Sequence, residues 1–140
     1  MDAATRAVAD ELAIQRVLAR YAHGVDRGDL ALVASCYHPD ALEDRGPRYR
    51  GGLDGFLPWL GAALAELESC WHLMGLPLIV LEGDAATVET HCLAVHRRRP
   101  SPDGPVAERT IPLRYRDRFE RRDGDWRIAR RVAVYDAPAP

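Results

Sequence analysis

At about residue 73 the apolar residues change from helical spacing to strict alternation, and that change limits what this chain can fold into. Before it, Ile14, Val17, Leu18, Tyr21 and Val25 recur every three or four residues, which predicts an amphipathic helix from about Thr5 to Val25. Asp26-Arg27-Gly28 breaks that helix. Asp29 suits the N-cap of a short second helix with Leu30, Val33 and Tyr37 inward, closed by His38-Pro39-Asp40 because the residue before a proline avoids helical backbone. Strand-like pieces flank a Gly46-Pro47 turn over residues 41–50. Gly51 and Gly52 then open a third helix over about 53–68, carrying Leu53, Phe56, Leu57, Leu60, Leu64 and Leu67, with Pro58 in its first turns. Beyond the change, Leu73–Leu81 is an apolar run ended by Glu82-Gly83-Asp84. Ala86–Arg97, Thr110–Arg121 and Trp126–Asp136 alternate, separated by a Pro- and Gly-rich loop at 100–105 and a tight turn at Arg122-Asp123-Gly124-Asp125. Three helices followed by a long antiparallel meander predict an α+β fold.

The 140 residues suit one domain over 1–140, with the Ala-Pro tail at 137–140 frayed. A chain this long can bury a core and still enclose a small cavity. A net charge of −2 argues against a nucleic-acid partner, which calls for a basic excess. No run of 18 apolar residues predicts a membrane span, and Met1-Asp2-Ala3 lacks the character of a signal peptide. Cys36, Cys70 and Cys92 are odd in number, widely spaced and without a C-x-x-C, so buried free thiols and a cytoplasmic location are expected. There is no Gly-rich phosphate loop, G-x-S-x-G or H-E-x-x-H, and neither a cofactor nor a metal is expected.

Two residues stand out chemically. Asp26 closes a helix, where the macrodipole disfavours a carboxylate. It is either a turn residue or, if partly buried, a general base with a raised pKa. His72 lies in Trp71-His72-Leu73-Met74-Gly75, at the opening of an apolar strand, and is either a hydrogen-bonded core residue or a site residue. A pocket aspartate would fix its tautomer and stabilise its protonated form. Tyr21, five residues before Asp26 on the inward face, could donate to a substrate oxygen or be plain core. Leu18, Phe56, Trp59 and Leu60 would form apolar walls. His91 and His96 are five apart on one predicted strand and face opposite ways. His96 could line a cavity mouth or be solvated, while His23 and His38 are expected at the surface. Arg131, if it points inward, needs a carboxylate or an anionic ligand.

Several stretches together resemble a known family. Ile14 to Asp29, with Tyr21-Ala22-His23-Gly24-Val25-Asp26, is similar to the opening helix of SnoaL-like proteins in the nuclear-transport-factor-2-like superfamily. Tyr37-His38-Pro39-Asp40-Ala41, Trp71 to Gly75, Gly83-Asp84-Ala85-Ala86 and Arg121 to Ile128 resemble further segments in order, over nearly the whole chain. The resemblance is nearest to the subgroup of scytalone dehydratase, bile-acid 7α-dehydratase and hexachlorocyclohexane dehydrochlorinase. It implies a cone-shaped roll: three N-terminal helices on a curved, mixed, mostly antiparallel sheet. It also implies cofactor-independent proton abstraction and elimination by an Asp–His pair, carried over onto Asp26 and His72, with substrate contacts at Tyr21, His96 and Arg131. The dehydrochlorinase lysine corresponds to Tyr21 here, so dehalogenation is not implied.

The expected function is therefore a dehydratase, isomerase or cyclase acting on a small hydrophobic cyclic or polyketide-like molecule. The competing expectation is a non-catalytic module that binds a hydrophobic ligand or mediates oligomerisation. A homodimer or homotrimer packed through the outer sheet face, around Leu113, Tyr115 and Val132, is also expected.

Overall fold

A computed structural model describes residues 1–102 and 104–136; the expected frayed tail at 137–140 lies outside the described residues. Helix α1 (Ala3–Arg27) starts where the Asp2 carboxylate accepts from the Thr5 amide at 2.8 Å. It stops at Gly28, whose left-handed φ of 66° returns its N–H to Gly24 and Val25. Its buried stripe is the one the spacing predicts: Ile14, Val17, Leu18, Tyr21 and Val25. Asp29 caps α2 (Leu30–Ala34) through the Leu32 amide at 3.0 Å.

The next segment departs from expectation. The second helix ends at Ala34, and Tyr37–Asp44 is strand β1. Helix propensity loses there to sheet pairing: the Ile128 amide donates to the Cys36 carbonyl at 2.9 Å, and β1 runs parallel to β7 (Asp125–Tyr135). The register jumps between Tyr37 and Leu42, the stretch holding Pro39, which has no N–H to give a ladder. His38 is therefore buried rather than at the surface, with Nε2 2.7 Å from the Glu120 carbonyl.

After β2 (Arg50–Gly52), helix α3 (Leu53–Ala65) ends three residues before the expected boundary, and Leu67 opens β3 (Leu67–Met74). His72 thus sits near the end of its strand, not at its opening. The apolar run at 73–81 is not continuous. Gly75 donates to the His91 carbonyl at 2.7 Å, the chain bends, and β4 (Leu78–Glu82) begins. Both β3 and β4 pair antiparallel with the long β5 (Ala85–Arg98), end to end. Strand β6 (Glu108–Arg122) joins β7 through Asp123-Gly124, where φ is 52° and 83°, the primed-turn geometry of a tight hairpin.

The sheet order is β2-β1-β7-β6-β5-β3, with β4 also on β5. Among the described residues only β1–β7 is parallel, so a mixed, mostly antiparallel, curved sheet carries the helices on one face. Leu113 and Tyr115 point into that face and are buried, correcting their expected place outside. Exposed apolar residues of the opposite face include Leu42, Trp71, Leu73, Leu78, Val80 and Leu93. Among the described residues no helix is long and apolar enough to cross a membrane.

Candidate active site

Asp26 occupies the last turn of α1, and its carboxylate reaches across to β3. One oxygen lies 2.8 Å from His72 Nδ1, and the other accepts the His72 backbone N–H at 3.1 Å. Cys70, two residues earlier on the same strand face, donates its thiol to the first oxygen at 3.6 Å. These donors offset the unfavourable helix terminus. Burial raises the Asp26 pKa, but the hydrogen bonds and charge of His72 outweigh it, and the carboxyl sits below its usual value of 3.8. The expectation of a raised pKa is overturned: the carboxylate stays charged and cannot serve as a near-neutral base. Its role is to hold the ring. With Nδ1–H given to Asp26, Nε2 is the free nitrogen of a side chain only 8% exposed.

His72 forms part of the wall of a cavity of about 300 Å³. Val25, Trp59, Leu60, Leu64, Ile111 and Leu113 supply apolar lining. Tyr21 lines it too, edge-on to His72 with ring centres 6.5 Å apart. The Tyr21 oxygen accepts from Arg45 Nη2 at 2.8 Å, which polarises the phenol and directs its own O–H elsewhere.

Arg45 was not foreseen. It is buried, donates through Nε to Glu43 at 2.9 Å and through Nη1 to the Tyr135 hydroxyl at 3.2 Å. Glu43 also accepts from the Tyr37 hydroxyl at 2.9 Å. The signal was present as Glu43 and Arg45, two opposite charges two apart on an inward-facing stretch, the spacing of a buried pair on one strand face.

His96 faces the cavity, and His91 is exposed on the opposite face, as alternation predicts. The His96 ring lies 6.2 Å from that of His72. Burial first, then the charges of His72, Arg109 and Arg48, lower its pKa from 6.5 to about 4. A histidine depressed in the fold binds its proton more readily when unfolded. Its presence therefore costs stability progressively as pH falls from 6.5 towards 4. His96→Gln should flatten the acid limb of the melting-temperature profile in that window; an unchanged slope in a pH series of thermal melts would count against the assignment.

The other expected site residues are more dispersed. Trp59 lines the cavity, whereas Leu18 and Phe56 pack in the core behind it. Arg131 is fully buried, bound to both Asp117 oxygens at 2.8 Å. Its guanidinium lies 4.3 Å from the Tyr21 ring centre and 4.0 Å from that of Tyr115, so these two rings separate it from the cavity. Arg131 met a carboxylate rather than a ligand.

Asp26, Cys70 and His72 bring three potential metal-ligating atoms within 4.8 Å. Burial, with Asp26 beside it, pushes the Cys70 thiol up to about 12.

A family model described as a SnoaL-like domain matches residues 6–132. The chain belongs to the SnoaL-like domain family. No functionally curated protein matches this SnoaL-like domain in sequence. Solved structures do share its fold. A candidate scytalone dehydratase from Novosphingobium aromaticivorans superposes with a TM-score of 0.83 at 20% identity, over 93% of this chain and 86% of that one. A hexachlorocyclohexane dehydrochlorinase superposes at 0.82 and 20% identity, over 93% and 87%. A nuclear-transport-factor-2-like protein with a cystatin-like fold, also from N. aromaticivorans, superposes at 0.77 and 24% identity, over 98% and 88%. Neighbours of this fold thus include proteins described as a dehydratase and a dehydrochlorinase.

Proposed function

We propose that this SnoaL-like domain is a cofactor-independent lyase or isomerase acting by general acid–base chemistry on a small cyclic or polyketide-like ketone. The observation that carries the reading is the 2.8 Å contact between Asp26 and His72 Nδ1 at the wall of an apolar cavity. His72 Nε2 removes a proton next to the substrate carbonyl. The C–H electron pair becomes an enolate, whose oxygen accepts from the Tyr21 hydroxyl. Where a β-hydroxyl is present, the enolate collapses to a C=C bond. The hydroxyl then leaves with the proton held on His72, so that water departs and the enzyme is restored. Asp26 stabilises the imidazolium between the two transfers. His96, kept neutral at ordinary pH, is available to hydrogen-bond the leaving hydroxyl. Apolar walls exclude bulk water and strengthen each of these interactions.

A fluorescence assay of a β-hydroxytetralone tests the proposal, because loss of water there yields a naphthol. Dehydration above the spontaneous rate supports it. The cavity occupied by such ketones without dehydration, and without exchange of the acidic C–H in deuterated water, would leave a binding module instead.

We also propose that a second copy covers the exposed Trp71, Leu73 and Leu93 on the outer sheet face. A light-scattering mass of 15.6 kDa, that of one chain, would contradict this.

A further inference from the structure

Arginines on the outward faces of the long strands are mostly paired. Arg114 meets Glu89 and Asp136, Arg118 meets Glu120, and Arg122 meets Asp40 and Glu120. Three arginines that line the cavity differ. Among the described residues, Arg48, Arg98 and Arg109 have no carboxylate within ion-pair distance.

The sheet register places two of them, Arg98 and Arg109, beside His96, and the β1–β2 turn brings Arg48 to the same cavity. Arg109 on β6 is the direct cross-strand partner of His96 on β5, so the two side chains share the cavity face. Arg98 follows His96 by two residues and shares that face. Arg48 comes from the turn between β1 and β2, half-buried, its guanidinium 4.2 Å from the centre of the Tyr135 ring, which also lines the cavity. Two carboxylates, Glu66 and Glu108, share the rim; like Arg98 and Arg109 they are exposed to water, and neither comes within ion-pair distance of the three arginines. At His96 the positive groups prevail: Arg109 and Arg48 both disfavour its protonation, and Asp26 is the weaker, opposing influence. For Arg48, half-buried without a counter-ion, that state is costly, and an anion supplied by a ligand would remove the cost; the exposed Arg109 adds a second guanidinium beside it at the cavity mouth.

We infer that the cavity accepts an apolar ring system bearing a carboxylate, with the carboxylate between Arg48 and Arg109 and the ring extending towards His72. This rests on the cavity being the substrate site, as proposed above, and narrows the substrate class from neutral ketones to cyclic keto acids. The choice of a carboxylate over a larger anion follows from the cavity volume of about 300 Å³, the lower end of small-molecule sites, which leaves room for a bicyclic ring and one planar acid group. A planar acid also suits guanidinium forks.

Calorimetric titration with naphthalene carboxylate and with the matching neutral naphthamide tests the inference. The carboxylate should bind at least about tenfold more tightly, the scale of one charge-assisted contact. Its advantage should shrink with added salt and vanish in Arg48→Met/Arg109→Met, while amide binding persists there as the check on folding. Equal binding of the two probes, a preference unmoved by the double variant, or binding of neither probe would overturn it. His72→Ala, titrated in parallel, should keep the preference. A lost preference with intact dehydration would remove the substrate class alone, and a retained preference without dehydration would remove the catalytic reading alone.

Discussion

Replacing His72 by alanine is expected to lower turnover by about two to four orders of magnitude, the usual worth of a positioned general base. Its melting temperature should change little. The imidazole lies at a cavity wall, so its loss enlarges an existing void rather than opening one in packed core. Asp26 also keeps the His72 backbone N–H and the Cys70 thiol as donors. Asp26→Asn should lose a comparable factor by a different route, because an amide cannot stabilise the imidazolium and can impose the wrong tautomer. The two losses should not add in the double variant, since both residues serve one proton transfer. Stability follows the sign of the Asp26 shift. A carboxyl depressed below 3.8 contributes its full stabilisation above that pH and loses it as pH falls through the lower folded value. The stability advantage of the parent protein over Asp26→Asn should therefore be constant near neutrality and shrink only in strong acid. Steady-state rates with the β-hydroxytetralone and thermal melts across pH check both statements; full activity in either single variant would remove the pair from the mechanism.

The second large effect concerns folding. Arg131 and Asp117 are both 0% exposed and joined by two 2.8 Å contacts. Removing one member leaves the other charged and unpaired in the core, so Asp117→Leu or Arg131→Met alone should cost about 3–5 kcal/mol. Among the described residues Arg131 Nη1 is buried with no hydrogen-bond partner, which marks this site as already costly. The apolar double variant Asp117→Leu/Arg131→Met should recover much of the loss, since the desolvation of both charges disappears together. Urea unfolding of the three variants measures this. A single variant within about 0.5 kcal/mol of the parent, the ordinary range for surface substitutions, would contradict the account.

Much of this was legible in the residue pattern. The helical spacing of Ile14, Val17, Leu18, Tyr21 and Val25 and the alternation of β5, β6 and β7 reflect burial on one face, which sequence periods report directly. The departures share one cause, pairing between residues distant in the chain. The expected strand character at 41–44 extends back to Tyr37 because β1 pairs parallel with β7, and that pairing carries His38 inside. Gly75 looks like part of an apolar run because its donation to His91 across the sheet leaves no local trace. At the site, Asp26, His72, Tyr21, Trp59 and His96 were named from chain position and resemblance. For Arg131 the sequence leaves a carboxylate and an anionic ligand both open, because the Asp117 that pairs with it lies on another strand. Arg45 and Arg48 do not stand out, because charged residues near a Gly-Pro turn look solvated until the turn is folded onto the cavity.

Nitrogen-15 NMR of the His72 ring, recorded at about pH 8 so that an ordinary imidazole is neutral, tests the central claim most directly. The account predicts a proton on Nδ1, hydrogen-bonded and slow to exchange, an unprotonated Nε2, and loss of that pattern in Asp26→Asn. A ring protonated on Nε2, or one exchanging both tautomers freely with solvent, would contradict it.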